Sequence, residues 1–259
     1  MSQDIMIEHQ QRVLTVTLTR PQKKNALTDH MYSVLADAVE RAETDPEVRA
    51  VVIRAEGDIF TAGNDLGDFA AQSGDEASTS TEEKQVKRFI RALVDSTTPI
   101  IAAVQGKAVG VGTTMLLHCD YVLLTEDAQL ITPFVDLALV PEAGSSALLP
   151  QRIGHARAFA MFALGEPLNA AAALKGGIAN VIVPPSDLHD EADAIARRLA
   201  TKPAGSVTAT KRLMRDGRAM HAHIAVESEV FAERLAGAEA QEAFAAFQEK
   251  RKPDFSRFS

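Results

Sequence analysis

"PIIAAVQGKAVGVGTTMLLHCDYV", residues 99–122, runs a strand, a glycine turn, a helix and a second strand together without a spacer. Ile100–Val104 is a short unbroken apolar run after Pro99, which reads as a strand. Gly110-Val111-Gly112 follows, Thr113 to His118 reads as an apolar helix, and Asp120 to Thr125 reads as the next strand. Strands that pass directly into helices and back require layers of both kinds, so this stretch predicts an α/β fold.

The same alternation extends in both directions. Upstream, Arg49–Ala55 reads as another buried strand, and "DIFTAGNDLGDF", residues 58–69, follows it with a turn of small residues, Thr61-Ala62-Gly63-Asn64. In residues 12–19, RVLTVTLT, Leu14, Val16 and Leu18 share one face and the threonines the other, which predicts a half-buried strand. Pro21 ends it, and Thr28 caps a helix whose inner face is Met31, Leu35, Ala38, Val39 and Ala42, up to the turn at Asp45-Pro46. Residues 70–81, rich in Ala, Ser, Thr and Gly, read as a mobile loop. The next helix carries Val86, Phe89, Ile90, Leu93 and Val94 on one face. Downstream, Leu130-Ile131 is a short strand, 132–151 is loop and short helix, 154–164 and 169–175 are helices, and Ala179–Val183 is the last strand. From Ser186 to Ala246 the chain reads as helix, with breaks near Lys202-Pro203 and Asp216-Gly217. This predicts an α/β core over 1–200 and a helical C-terminal region over 201–259. Its apolar faces in Ala219–Ala246 suit either a subunit contact or packing on their own core.

Composition removes several function classes. A formal net charge of −8 without Lys/Arg clusters argues against a nucleic-acid partner. A single Cys excludes an intrachain disulfide and a cysteine-based metal site, and fits a reducing compartment. MSQDIMIEHQ has neither a basic start nor an apolar run, and no segment approaches the roughly 20 apolar residues that span a bilayer, so the expectation is a cytoplasmic protein with no membrane partner.

Two glycine-containing turns, Ala62-Gly63-Asn64-Asp65-Leu66 and Gly110-Val111-Gly112, each follow a strand. Glycine lets a ligand approach the backbone, and unpaired N–H groups hold anionic oxygen. Two such N–H groups facing one pocket would form an oxyanion hole. Nucleotide-binding readings fail: no Gly-Lys-Ser/Thr follows Gly106, and Met115 stands where a dinucleotide fingerprint needs its third glycine. The glycines also fit simple close packing of strand on helix.

At this point the residues match a family. "FTAGNDLGDF" and "PIIAAVQGKAVGVGTTMLLHCDYV", in this order and separation, resemble the enoyl-CoA hydratase/isomerase (crotonase) family, and the likeness runs from about Val13 to "QEAFAAFQEKRKPDF". The resemblance implies a crotonase-like spiral of ββα turns with a helical trimerisation region, hence a homotrimer or a dimer of trimers. It implies an acyl-CoA thioester as substrate and no separate cofactor or metal, since coenzyme A arrives with the substrate. By position, the N–H groups of Asn64 and Val111 would hold the thioester oxygen. The Ala62 carbonyl would meet the adenine, and the loop Lys23–Leu27, with Lys24 and Ala26, would border the CoA moiety. Lys23 and Lys24 could meet its phosphates or remain solvated. Gly63, Asp65, Leu66 and Gly110 belong to the same binding turns; Asp65 could equally serve to bond its own turn.

The family divides by its acid–base groups. Hydratases resemble one another in two glutamates, whose positions hold Thr114 and Phe134 here, and neither can exchange a proton near neutral pH. "TPFVDLALVPEAGSS", residues 132–146, instead resembles the peroxisomal-type Δ3,Δ2-enoyl-CoA isomerases, in which the Glu matching Glu142 is the single base. Such a base takes a C2 proton and returns it at C4. Phe134, Leu137 and Val140 would form an apolar pocket, Thr114 could line it, and Asp136 could be a second acid or an exposed loop residue. The alternative for Glu142 is a helix-start carboxylate bonded to nearby N–H groups. His118 and Cys119 read as packing residues, and His221 and His223 do not share a helix face. The leading reading is a Δ3-to-Δ2 enoyl-CoA isomerase of fatty-acid degradation. The alternatives are a hydratase, a CoA-thioester hydrolase, or a non-catalytic acyl-CoA-binding module.

Overall fold

The computed structural model describes residues 4–65 and 84–258; the expected loop at 70–81, and Leu66, lie outside them. A six-stranded sheet holds β1 (Ile5–Gln10), β2 (Val13–Leu18), β3 (Ala50–Ala55), β4 (Ile100–Val104), β6 (Tyr121–Thr125) and β9 (Val181–Val183) in that order. β1 and β2 are antiparallel; every later neighbour is parallel. A second sheet orders β5 (Lys107–Val109), β7 (Gln129–Ile131) and β8 (Leu168–Asn169).

Side chains alternate across a strand, so each central strand feeds two cores. Val51, Ile53, Ile100, Ala102 and Val104 join the main core beneath α1 (Asp29–Thr44) and α2 (Gln85–Asp95). Ala50, Val52, Ile101 and Ala103 face Leu188, Ala192 and Ala196 of a later helix, α7 (Leu188–Ala200). α7 corrects one expectation: β2 is not half-buried. Thr15 is 8% and Thr17 is 3% exposed, because α7 covers the polar face and Arg54 Nε donates to Thr17 Oγ1. The N-terminal strand β1, unread in the sequence, supplies the antiparallel edge.

Most helix expectations hold. The Thr28 hydroxyl accepts from the Met31 N–H at 3.3 Å, and the five predicted α1 residues are all buried. The Thr113–His118 segment divides into α3 (Val111–Thr114) and a 3-10 turn, Met115–His118. Then come α4 (Ser145–Ile153), α5 (His155–Leu164) and α6 (Ala170–Lys175). After α7, the C-terminal region forms α8 (Ala204–Leu213), α9 (Gly217–Leu235) and α10 (Ala238–Gln248). The breaks near 203 and 216 appear where expected. A third, at Ala236-Gly237, separates α9 from α10.

Candidate active site

The two turns meet through their backbones. Thr61 bridges Ala108: its N–H donates to the Lys107 carbonyl at 3.2 Å, and its own carbonyl accepts from Val109 at 3.0 Å. A side chain on Gly63, which sits at φ +88°, would meet the Val109 carbonyl oxygen at 2.9 Å, and one on Gly112 would meet Thr61 Cγ2 at 2.4 Å. Glycine is required at both for the turns to touch.

Pairing then sets where the free amides point. Leu27 bridges Asn64 in parallel, donating to the Gly63 carbonyl at 2.8 Å and accepting from the Asp65 N–H at 2.9 Å. In a parallel bridge the residue between the two bonds turns its own N–H to the other side, so Asn64 presents its N–H away from Leu27. Val111 is the first residue of α3, where an N–H has no intrahelical partner. Among the described residues neither N–H makes a hydrogen bond. Thr113 anchors this turn: its hydroxyl donates to the Ala108 carbonyl at 2.6 Å and accepts from the Ile131 N–H at 3.0 Å.

The loop expected to border CoA lies against the first turn. Ala62 donates to the Lys24 carbonyl at 2.9 Å. The buried Asn25 side chain donates to the Glu56 and Ile59 carbonyls at 2.8 Å each. Arg20 donates to the Ala26 carbonyl at 3.0 Å and pairs with Asp65 at 2.7 Å. Asp65 thus ties this loop to the turn through Arg20. Lys23 and Lys24 are exposed. Lys24, Ala26, Ala62, Gly63, Asn64 and Asp65 are brought together, with Gly110 and Val111 beside them.

Glu142 enters from the loop after β7. Its Oε1 accepts from the buried Thr114 hydroxyl at 2.6 Å, so the base candidate meets the residue standing in the hydratase-glutamate position. Burial pushes the Glu142 carboxyl up to about 7; the Thr114 bond opposes this, and the negative charge of Glu227 adds to the rise. The turn behind Glu142 is left-handed at two successive residues, Ala143 (φ 59°) and Gly144 (φ 73°). For a non-glycine such as Ala143 that conformation is costly. The His118 Nε2–H donates to the Ala143 carbonyl at 2.7 Å, and burial lowers the His118 ring to about 4, so it stays neutral in that role.

The helix-start role weighed for Glu142 is filled by another residue. Glu227 of α9, 6% exposed, accepts from the Gly144 N–H at 2.6 Å and the Ser146 N–H at 2.9 Å, both at the start of α4. Sequence reasoning missed Glu227. It also missed Tyr32 of α1, whose phenol donates to the Asn64 side-chain oxygen. Burial holds that phenol well above its ordinary value, with the charges of Glu142 and Asp29 adding to the effect. Neither residue carried a signal beyond its polar identity on an otherwise helical stretch.

Phe134 and Leu137 pack in an apolar cluster with Leu139, Phe162 and Ala240, beneath α10, with the Phe134 and Phe162 rings 6.2 Å apart. Asp136 is exposed beside Gly165. His221 meets Asp95 at 2.6 Å while His223 meets the Ser146 hydroxyl at 2.7 Å. Among the described residues no cluster of three or more His, Cys, Asp or Glu could hold a metal, and no helix is long and apolar enough to cross a membrane.

The enoyl-CoA hydratase/isomerase family model matches residues 8–257. The chain is 32% identical to 1,2-epoxyphenylacetyl-CoA isomerase of Escherichia coli, covering 98% of each protein. It is 32% identical to a probable enoyl-CoA hydratase of Rhodobacter capsulatus, covering 97% of each. To enoyl-CoA delta isomerase 2 of Rattus norvegicus it is 33% identical over 88% of this chain and 58% of that one. A crystal structure of an enoyl-CoA hydratase/isomerase from Pseudoalteromonas atlantica superposes with a TM-score of 0.91 at 41% identity, covering 98% of this chain and 100% of that one.

Proposed function

Since the chain belongs to the enoyl-CoA hydratase/isomerase family and has the crotonase fold, we propose that it is a Δ3-to-Δ2 enoyl-CoA isomerase with Glu142 as its single base. The observation that carries this reading is the pair Glu142 and Thr114. A hydratase scheme uses two carboxyl groups to activate water and deliver its proton. Here the partner of Glu142 is a hydroxyl that cannot act as an acid or base near neutral pH.

In the proposed reaction the thioester oxygen of a 3-enoyl-CoA accepts from the N–H groups of Asn64 and Val111. Glu142 takes a proton from C2, and the electron pair spreads into a dienolate whose oxygen remains between the two amides. The same carboxylic acid returns the proton at C4, the double bond moves to C2–C3, and the carboxylate is regenerated. No water is consumed. A carboxyl titrating at about 7 suits both halves, being ionised often enough to accept and acidic enough to release. Each oxyanion donor is worth roughly 10²–10³ in rate. Exposed apolar side chains of the C-terminal region, Leu213, Met214, Val226 and Val230, support the expectation of self-association. The names of the delta isomerase and of the bacterial isomerase support the reaction class.

The test is the Glu142→Gln variant, assayed on 3-enoyl-CoA and on crotonyl-CoA. Isomerisation should fall by about 10²–10⁴ while CoA-thioester affinity stays within a few-fold. Unchanged isomerisation would remove Glu142 from the mechanism, and wild-type hydration of crotonyl-CoA without isomerisation would return the chain to the hydratases.

A further inference from the structure

The turn that aims Glu142 is held from behind by two side chains, His118 and Glu227, and the second is itself a carboxylate. Glu227 receives hydrogen bonds from the Gly144 N–H, the Ser146 N–H and the Ser146 hydroxyl, at 2.6, 2.9 and 2.5 Å. His223 Nε2, one helical turn earlier on α9, stands 2.7 Å from that hydroxyl and 3.4 Å from the carboxylate. Every neighbour thus offers a proton to a group that, when ionised, can only accept.

Gly144 explains how α9 comes so close. A side chain there, at φ +73°, would meet Met220 Sδ at 2.3 Å and Ile224 Cγ1 at 3.5 Å, so this face of α9 lies directly on the turn. The turn needs an anchor, because the left-handed pair Ala143–Gly144 would relax without one. His118 grips the Ala143 carbonyl on one side. Glu227 grips the next two amides on the other.

We propose that Glu227 is a positioning residue for Glu142: it clamps the start of α4 so that the strained turn keeps aiming Glu142, and it stands as a second negative charge beside the first. The clamp fixes direction, and the charge raises proton affinity. The groups facing this pair are Thr114 and Tyr32 on the Glu142 side, His118 beneath the turn, and His223 on α9. The raised proton affinity of Glu142, in which the charge of Glu227 takes part, agrees with this arrangement. The inference rests on Glu142 being the base, and its test includes a readout that does not need turnover.

In Glu227→Gln, checked for native fold by circular dichroism, the Glu142 carboxyl is followed by carbon-13 NMR titration and assigned by its absence in E142Q. Its apparent pKa should fall by roughly half a unit to one unit, because a like charge has been removed. The acid limb of kcat/KM should move down with it, and kcat on the alkaline plateau should drop by about tenfold at near-constant KM, as expected for a misaimed base. Glu227→Asp keeps the charge and shortens the reach. It should lower kcat while leaving the titration close to wild type, and it serves alone if the Gln variant does not fold. A Glu142 titration and pH profile unchanged in E227Q, or an Asp variant with wild-type kcat, would overturn the proposal. Failure of Glu142 as the base would show separately, as a shift in the NMR titration with no matching shift in turnover.

Discussion

On one side of the site, Asn64 and Val111 offer main-chain N–H groups whose directions follow from the Leu27–Asn64 bridge, the Thr61–Ala108 bridge and the start of α3. On the other side, Glu142 hangs from a left-handed turn and takes its position from side chains: Thr114 ahead of it, and His118 and Glu227 behind. The donor side is built from backbone, so its geometry survives changes of side chain that keep the backbone path. The carboxylate side depends on a few polar side chains drawn from distant parts of the sequence. An oxyanion contact needs only an N–H, which every non-proline residue supplies. A proton-transfer group also needs a tuned affinity, which comes from burial together with neighbouring hydrogen bonds and charges.

Three substitutions test this contrast, beginning with the largest effect. Gly63→Ala attacks the donor side where backbone space is absolute: a Cβ would meet the Val109 carbonyl at 2.9 Å, at φ +88°. It should cost about 1–3 kcal/mol in stability and lower kcat by roughly 10²-fold through a displaced Asn64 amide, read by thermal denaturation and steady-state kinetics. A variant with wild-type kcat would show that the donor turn is softer than its bridges imply. Thr114→Val attacks the carboxylate side at constant volume. It removes the hydrogen bond that favours ionised Glu142, so the acid limb of the pH–rate profile should move up by about half a unit to one unit, opposite in sign to Glu227→Gln. Movement of both variants in the same direction would break the electrostatic account. Val111→Ala keeps the N–H. It should leave kcat within about threefold while removing about 1 kcal/mol of packing, since the side chain is 4% exposed. A large loss of kcat there would show that a side chain helps to build the donor side after all.

How legible each part was in the sequence follows from the same contrast. The donor turns stood out because each is contiguous, with its glycines set directly after a strand. The inner face of α1 was visible in its spacing, as was its Thr28 cap. Burial of Thr15 and Thr17 was not visible, because the covering helix α7 lies far along the chain and polar alternation normally marks a solvent face. Glu227 and Tyr32 were hidden for a related reason. Glu227 acts on Gly144 and Ser146, and Tyr32 on Asn64, contacts that only the tertiary fold creates. The Ser146 of the isomerase-like motif was legible as a match, but its work, a hydroxyl given to Glu227, was not. The packing of Phe134 against Ala240 was not legible either, because α10 lies about a hundred residues further along the chain.

The elevated proton affinity of Glu142 also acts on the fold as a whole. An ordinary glutamate titrates near 4.5, while this one, folded, titrates near 7. Between those values the native chain retains a proton that the unfolded chain has released, so unfolding becomes easier as the solution is made less acid. The group weighs nothing against the fold below the lower value and reaches its full cost, on the order of 1–3 kcal/mol for a partly exposed side chain, above the upper one. The protein therefore gives up resilience over the same pH interval in which its carboxylate becomes ready to accept a proton.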